Sequence, residues 1–173
     1  PNVLPLLLPR HVALAGVGDV ATVINECPRI GYTGALWPVN PKRKDLARIP
    51  CFPDIEALPE APDATFLAVP KQTAIDITAR LARRGAGGVV CYTAGFSELG
   101  SAGQQAEAEL VEAAGDMALR GPNCYGLINY QDRLALWPFA HGGMHPGFCA
   151  AIITQSGMLS SDLTMSQRHL PLS

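Results

Sequence analysis

The chain has 173 residues, 48% of them hydrophobic and 16% charged, and a formal net charge of −2. That length suffices for one complete core with part of a second, and with no basic run beyond Lys42-Arg43-Lys44 nucleic-acid binding has no electrostatic footing. Residues 1–9, PNVLPLLLP, are apolar but too short and proline-rich to cross a bilayer or to form a complete signal peptide.

The low charge implies a surface covered by a ligand, another domain or a partner chain. Five cysteines (Cys27, Cys51, Cys91, Cys124 and Cys149) are scattered without a C-x-x-C pair. They read as buried thiols of a cytoplasmic protein, not as a disulfide framework or a zinc site.

His11–Asp19, HVALAGVGD, reads as a strand running into a glycine turn. Val12 to Ala15 are continuously apolar, as in a parallel strand covered on both faces. Gly16 and Gly18 follow where the chain bends and exposes its backbone. A helix is predicted next, with Ala21, Ile24 and Cys27 on one side and Pro28 near its end. Strand, glycine turn and helix in that order suit a nucleotide-type ligand whose phosphates meet free N–H groups at a helix start. The third glycine of G-x-G-x-x-G is replaced by Ala21, so a plain βα turn stays open as the reading of this stretch alone.

Ala35–Val39 is a second predicted strand leading into Asn40-Pro41-Lys42, followed by a polar linker in which Asp54 caps a brief helix through Leu58. Ala64–Val69 is a third strand, stopped by Pro70. Thr73–Arg84 has helical spacing, with Ile75, Ala79 and Ala82 inward and Arg80, Arg83 and Arg84 expected to face water. Gly88–Tyr92 is a fourth strand, ending in the small-residue loop Thr93–Phe96. A helix around Gln104–Ala114 and a short strand Met117–Leu119 follow, the latter stopped by Gly121-Pro122-Asn123.

Alternating strands and helices predict an α/β fold with a Rossmann-like parallel sheet and flanking helices. Right-handed crossovers bring the loops at the strand C-termini together: Gly16–Asp19, Asn40–Lys42, Pro70, Thr93–Phe96 and Asn123–Cys124. Tyr130–Gly147 lacks periodicity and reads as an interdomain connection. Cys149–Thr154 reads as a new strand, turning at Gln155-Ser156-Gly157 into a helix from about Met158. The expected division is therefore 1–145 as one domain and 146–173 as the beginning of a second, truncated one, within a longer protein.

Five segments carry a resemblance. PRHVALAG (Pro9–Gly16), WPVNPK (Trp37–Lys42), LAVP (Leu67–Pro70), TAGFSELG (Thr93–Gly100) and RGPNCYGLIN (Arg120–Asn129) together resemble the CoA-binding domain of NDP-forming acyl-CoA synthetases. That family is of the acetate–CoA ligase type and is related to the succinyl-CoA synthetase alpha subunit. ITQSGMLSSDL (Ile153–Leu163) is similar to the opening of the family's second, flavodoxin-like domain.

The resemblance implies coenzyme A as ligand, with Gly16, Val17 and Gly18 in its diphosphate seat. Val39, Asn40, Pro41 and Lys42 would bring Lys42 to a phosphate or the nucleotide end. Val69 and Pro70 would wall the adenine or pantetheine path, Ala94, Gly95 and Phe96 would border its continuation, and Asn123 and Cys124 would meet the thiol end. The complete protein would join acid and CoA with release of NDP and phosphate, using ATP/ADP and Mg, and would require the remaining ligase domains or a partner subunit. No catalytic or metal-binding residue is expected in this chain, because the family's phosphorylated histidine lies further into the second domain. Between Gly16 and Tyr32 the sequence is several residues shorter than the family pattern, which implies a trimmed phosphate seat or a missing mobile segment.

Cys124 has no histidine identifiably paired with it and reads as site lining or core. His141, His145 and Cys149 have H-x₃-H-x₃-C spacing but lie in a glycine-rich stretch, and read as linker residues. Glu98 reads as a helix cap, and Ser156 as a hydroxyl meeting N–H groups at a helix start. Two rivals stay open: a non-catalytic CoA-sensing domain of an acetyltransferase-type protein, and an NADP-binding domain. Against the latter, the second strand ends in Asn-Pro-Lys and not in an acidic ribose partner.

Overall fold

The computed structural model describes residues 1–143 and 150–165. β1 (His11–Gly16) is buried along its whole length. It lies between β2 (Ala35–Val39) and β5 (Ala64–Ala68), parallel to both. The sheet continues through β6 (Gly88–Cys91) to β7 (Ala118–Arg120), giving the all-parallel order β2-β1-β5-β6-β7. A central parallel strand has no solvent face, which is why the alternation of a half-buried strand is missing from Val12–Ala15. The predicted Rossmann-like α/β fold is the one observed.

The helices connect the strands as expected. α2 (Gly18–Arg29) buries Val20, Val23, Ile24 and Cys27, an i, i+3, i+4, i+7 stripe. α3 (Lys71–Arg83) buries Ala74, Ile75, Ile77, Thr78 and Leu81, and α4 (Ser101–Ala114) buries Ala106, Leu110 and Ala114. Asp54 caps the short 3₁₀ turn Ile55–Ala57, its carboxylate accepting from the Glu56 N–H at 3.1 Å. Within the expected polar linker, β3 (Asp45–Leu46) and β4 (Ile49–Pro50) form a small antiparallel ribbon. Ala47 and Arg48 turn it with positive φ values of 47° and 68°, the backbone demanded by a tight two-residue hairpin.

The two faces of the sheet carry separate cores. Leu67, Leu81, Val89, Phe96 and Leu110 fill the face under α3 and α4. Val12, Leu14, Phe66 and Val90 face α2 on the other side. That second face is completed by the antiparallel pair β8 (Leu127–Asn129) and β9 (Leu134–Leu136). The expectation of an irregular connection from Tyr130 is thereby corrected. Leu134, Ala135 and Leu136 are fully buried, and β9 packs on α2, with the Cys27 thiol donating to the Ala135 carbonyl at 3.2 Å. The run LALW has no alternation because both its faces are covered, one by α2 and one by the aromatic residues described below.

His141 is likewise not a linker residue. Its side chain is buried against Tyr130, whose hydroxyl lies 2.9 Å from Nδ1, and Arg29 Nη2 donates to its carbonyl at 2.6 Å. Glu26 Oε2 lies 3.3 Å from Nε2. Burial, reinforced by Arg29 and opposed by Glu26, lowers its pKa from 6.5 to about 4.

Arg80 and Arg84 do not simply face water. Arg80 pairs with Asp54 and Glu56, and Arg84 reaches the Leu58 carbonyl at 3.3 Å, so α3 is tied to the preceding 3₁₀ turn. The Arg80 guanidinium, with help from Asp54, holds the Glu56 carboxyl down at about 2.

The apolar N-terminal stretch has a structural use. α1 (Leu4–Leu7) buries Leu6, and a Cβ at Gly88 would stand 2.5 Å from Leu6 Cγ. Of the predicted strand Cys149–Thr154 the described part forms only an isolated bridge at Ala150: Ala151–Thr154 carry no strand, and Ile153 is 92% exposed. Cys149 and His145, and with them the H-x₃-H-x₃-C spacing, lie outside the described residues. α5 (Gly157–Met165) follows close to the expected start, with Ser156 Oγ accepting from the Leu159 N–H at 3.3 Å. Among the described residues no helix is long and apolar enough to cross a membrane.

Candidate functional site

The chain leaves β1 toward β2 on one side and then crosses to β5, β6 and β7 on the other. At such a switch point the two crossovers diverge and leave a crevice beyond the strand C-termini. Gly16 forms its floor. Its φ is +145°, and a Cβ there would meet the Ala68 carbonyl at 2.6 Å and Val20 Cγ2 at 2.9 Å. Only glycine fits, and the backbone is left bare.

Val17 follows, exposed and without a side-chain cap on α2. Gly18, the first helical residue, has open space where a Cβ would stand. The first N–H groups of α2 lack in-helix acceptors and give this spot a positive bias. Asp19, in the same turn, puts a carboxylate beside it.

Asn40 ties this turn to the neighbouring loop. Its Nδ2 donates to the Gly16 carbonyl at 3.1 Å, while its Oδ1 accepts from the N–H groups of Lys42 at 2.9 Å and Arg43 at 3.1 Å. Its own N–H donates to the Phe52 carbonyl at 2.9 Å. The amide is therefore a bracket between β1 and β2. Lys42 stands exposed beside it, Pro41 is exposed, and Val39 is buried in the core.

A cleft of about 320 Å³ opens next to the crevice, reaching from Asp19 and Ala68 past Val69 and Thr93 to Asn123 and Tyr125. Three loops are stitched together beneath it. Thr93 Oγ1 donates to the Val69 carbonyl at 2.8 Å, and the Asn123 N–H donates to the Thr93 carbonyl at 2.9 Å. Ala94 also lines the cleft. Pro70 precedes α3, and the Gly95 N–H is taken by the Glu98 carboxylate at 2.5 Å. Glu98 thus serves its own turn, as a cap would. Phe96 is fully buried in the core under α3 and α4, so only its backbone belongs to the loop.

Cys124 is half-buried, with Sγ 3.6 Å from the Cys91 carbonyl and 3.5 Å from that of Arg120. Burial pushes its thiol pKa up, the opposite of what a nucleophile needs. Cys91 is pushed up to about 11 by the same cause.

Sequence reasoning did not single out the rings of Tyr92 and Tyr125, which also line the cleft. The signal available was position: Tyr92 ends a strand at the loop edge, and Tyr125 follows Asn123-Cys124. A larger cavity of about 520 Å³ lies at the other end of the sheet, between Pro5, Ala82, Gly87 and Met117. It lies away from the switch point, so the smaller cleft is the candidate site.

Comparison with known proteins places the chain in a family. The CoA binding domain family matches residues 18–130. A trans-feruloyl-CoA synthase from an unknown prokaryotic organism is 40% identical over 76% of this chain and 20% of its own length. An ADP-forming acetate–CoA ligase I of Archaeoglobus fulgidus is 34% identical over 72% of this chain and 19% of its own. Among solved structures, the dinucleotide-forming acetyl-coenzyme A synthetase 1 of Ca. Korarchaeum cryptofilum superposes with a TM-score of 0.82 at 25% identity, over 94% of this chain and 36% of that one. A Pyrococcus horikoshii OT3 protein superposes at 0.87 and 27% identity, over 98% of this chain and 40% of its own. The chain spans about a fifth of the length of the feruloyl-CoA synthase and of the acetate ligase. With the family match spanning residues 18–130, most of its length, the chain belongs to the CoA binding domain family.

Proposed function

We propose that the chain is the CoA-binding module of an NDP-forming acyl-CoA synthetase, and that CoA lies across the C-terminal edge of the sheet. The observation that carries this reading is the side-chain-free floor at Gly16, bracketed by Asn40 to the loop bearing Lys42. Phosphate oxygens need bare N–H donors and a cation. The turn Gly16-Val17-Gly18 supplies the donors and Lys42 the charge. Pantetheine needs mostly apolar walls with a few amides, for which Val69, Pro70, Ala94 and the backbone of Gly95–Phe96 serve, with Asn123 and Cys124 at the thiol end.

ATP/ADP and Mg belong to the rest of the complete protein, as does the group that carries phosphate. The segment 146–173, whose helix α5 buries no residue among those described, is the beginning of a second unit in that protein. The acid is aromatic in this reading, because a relative of 40% identity is a trans-feruloyl-CoA synthase.

Calorimetric titration of the chain with CoA, NADP⁺ and NAD⁺ tests the reading. Saturable CoA binding is expected, weakened about tenfold by Lys42→Ala through loss of one charge-assisted phosphate contact. Selective binding of NADP⁺ would overturn it.

A further inference from the structure

We infer that Tyr92 and Tyr125 form a seat for an aromatic acyl group at the thiol end of the cleft, so that this chain itself discriminates aromatic from short aliphatic acyl-CoA thioesters. The inference rests on the CoA reading above and adds the place where the acyl group is recognised.

Both rings are half-buried and line the same cleft as Asn123. Their centroids are 6.3 Å apart and their planes meet at 47°. The pair is thus an open V and not a closed stack, with ring surface still facing the cavity. Each ring is fixed from behind. Tyr92 lies over Phe66 at 5.8 Å and 22°, and Phe66 is fully buried. Tyr125 meets Phe139 edge-on at 4.8 Å and 78°, and Trp137 at 5.7 Å and 86°.

Rings held in this way lose little freedom when a ligand arrives, and a planar conjugated group gains offset-stacked or edge contacts that an acetyl group cannot make. Gly157 lies against one edge of Tyr125, where a Cβ would stand 2.9 Å from Cε2 and 3.0 Å from Cζ, so that edge is covered and the rest of the ring lines the cleft. Burial, with Asp19 nearby, raises the Tyr92 pKa and keeps that hydroxyl a donor. Purely structural rings would be expected to close on the core; these keep part of their surface on the cavity.

Titrating the full chain with CoA, acetyl-CoA and cinnamoyl-CoA decides the matter. Cinnamoyl-CoA is expected to bind about five- to tenfold more tightly than acetyl-CoA. Tyr125→Leu should reduce that ratio to about twofold or less, a cooperative thermal melt showing that the variant is folded. Tyr125→Phe, which keeps the ring, should retain the preference. Equal affinity for the two thioesters, with CoA still bound, would overturn the seat and leave the CoA module standing. Failure of all three ligands to bind would overturn the module and the seat with it.

Discussion

The two faces of the sheet are built by different means. Under α3 and α4 the core follows the regular strand-helix alternation and is filled largely by aliphatic side chains. The opposite face has α2 and then, where another helix could stand, the β8–β9 pair with Tyr92, Tyr125, Trp137 and Phe139. The candidate cleft borders this second face. A helix covers a sheet by itself, whereas a two-stranded hairpin is marginal alone and holds its place only through the side chains beneath it. The aromatic residues that close this face therefore also bring ring surfaces to the cleft.

The largest expected effect tests whether the hairpin is core. Leu134→Ala should cost about 3 kcal/mol in denaturant unfolding, the same as Leu110→Ala under α4. If the hairpin were only a connection, Leu134→Ala would cost less than about 0.5 kcal/mol.

Gly16→Ala comes next. Contact with the Ala68 carbonyl and an unfavourable φ should cost about 2 kcal/mol, and CoA titration should show the phosphate seat lost in any protein that still folds.

The third prediction concerns pH and again belongs to the hairpin face. His141 titrates at about 4 when folded and near 6.5 when unfolded. Above that unfolded value both states are neutral and stability is complete. As pH falls from 6.5 toward 4 the unfolded chain takes up a proton that the native chain refuses, so stability declines and then levels. The loss is on the order of 3 kcal/mol, and His141→Gln should remove this part of the slope in melts across pH 7 to 4.

Asn40→Ala should cost about 1 kcal/mol of stability and weaken CoA several-fold, the binding loss exceeding that of Asn40→Asp if the acceptor side of the bracket dominates. The smallest effect lies on the helical face. Arg80→Ala removes a partly exposed ion pair and should change stability by less than about 1 kcal/mol, less still in high salt.

What could be read from the sequence follows the same division. The strands at His11, Ala35, Ala64 and Gly88 were legible because buried parallel strands leave continuous apolar runs between turn residues. The convergence of Gly16, Asn40, Val69, Ala94 and Asn123 followed from topology alone. The hairpin was not legible, since Leu127–Asn129 and Leu134–Leu136 are three residues each, too short for a period to show. Arg80 looked like a solvated helix residue because its partners, Asp54 and Glu56, are 26 and 24 positions away. Phe96 matched a loop motif, yet its ring answers to the core. The Tyr92–Tyr125 pair required two loops to be placed side by side, which no local pattern encodes.

The Asn40 bracket has a kinetic consequence. One amide holds the Gly16 carbonyl and the Lys42 and Arg43 N–H groups together before any ligand is present, so these two loops do not have to be gathered at the moment of encounter. Association should then run as a single step, with an observed rate linear in ligand concentration. Asn40→Ala should introduce a plateau, because loop assembly becomes a separate event that the ligand must await.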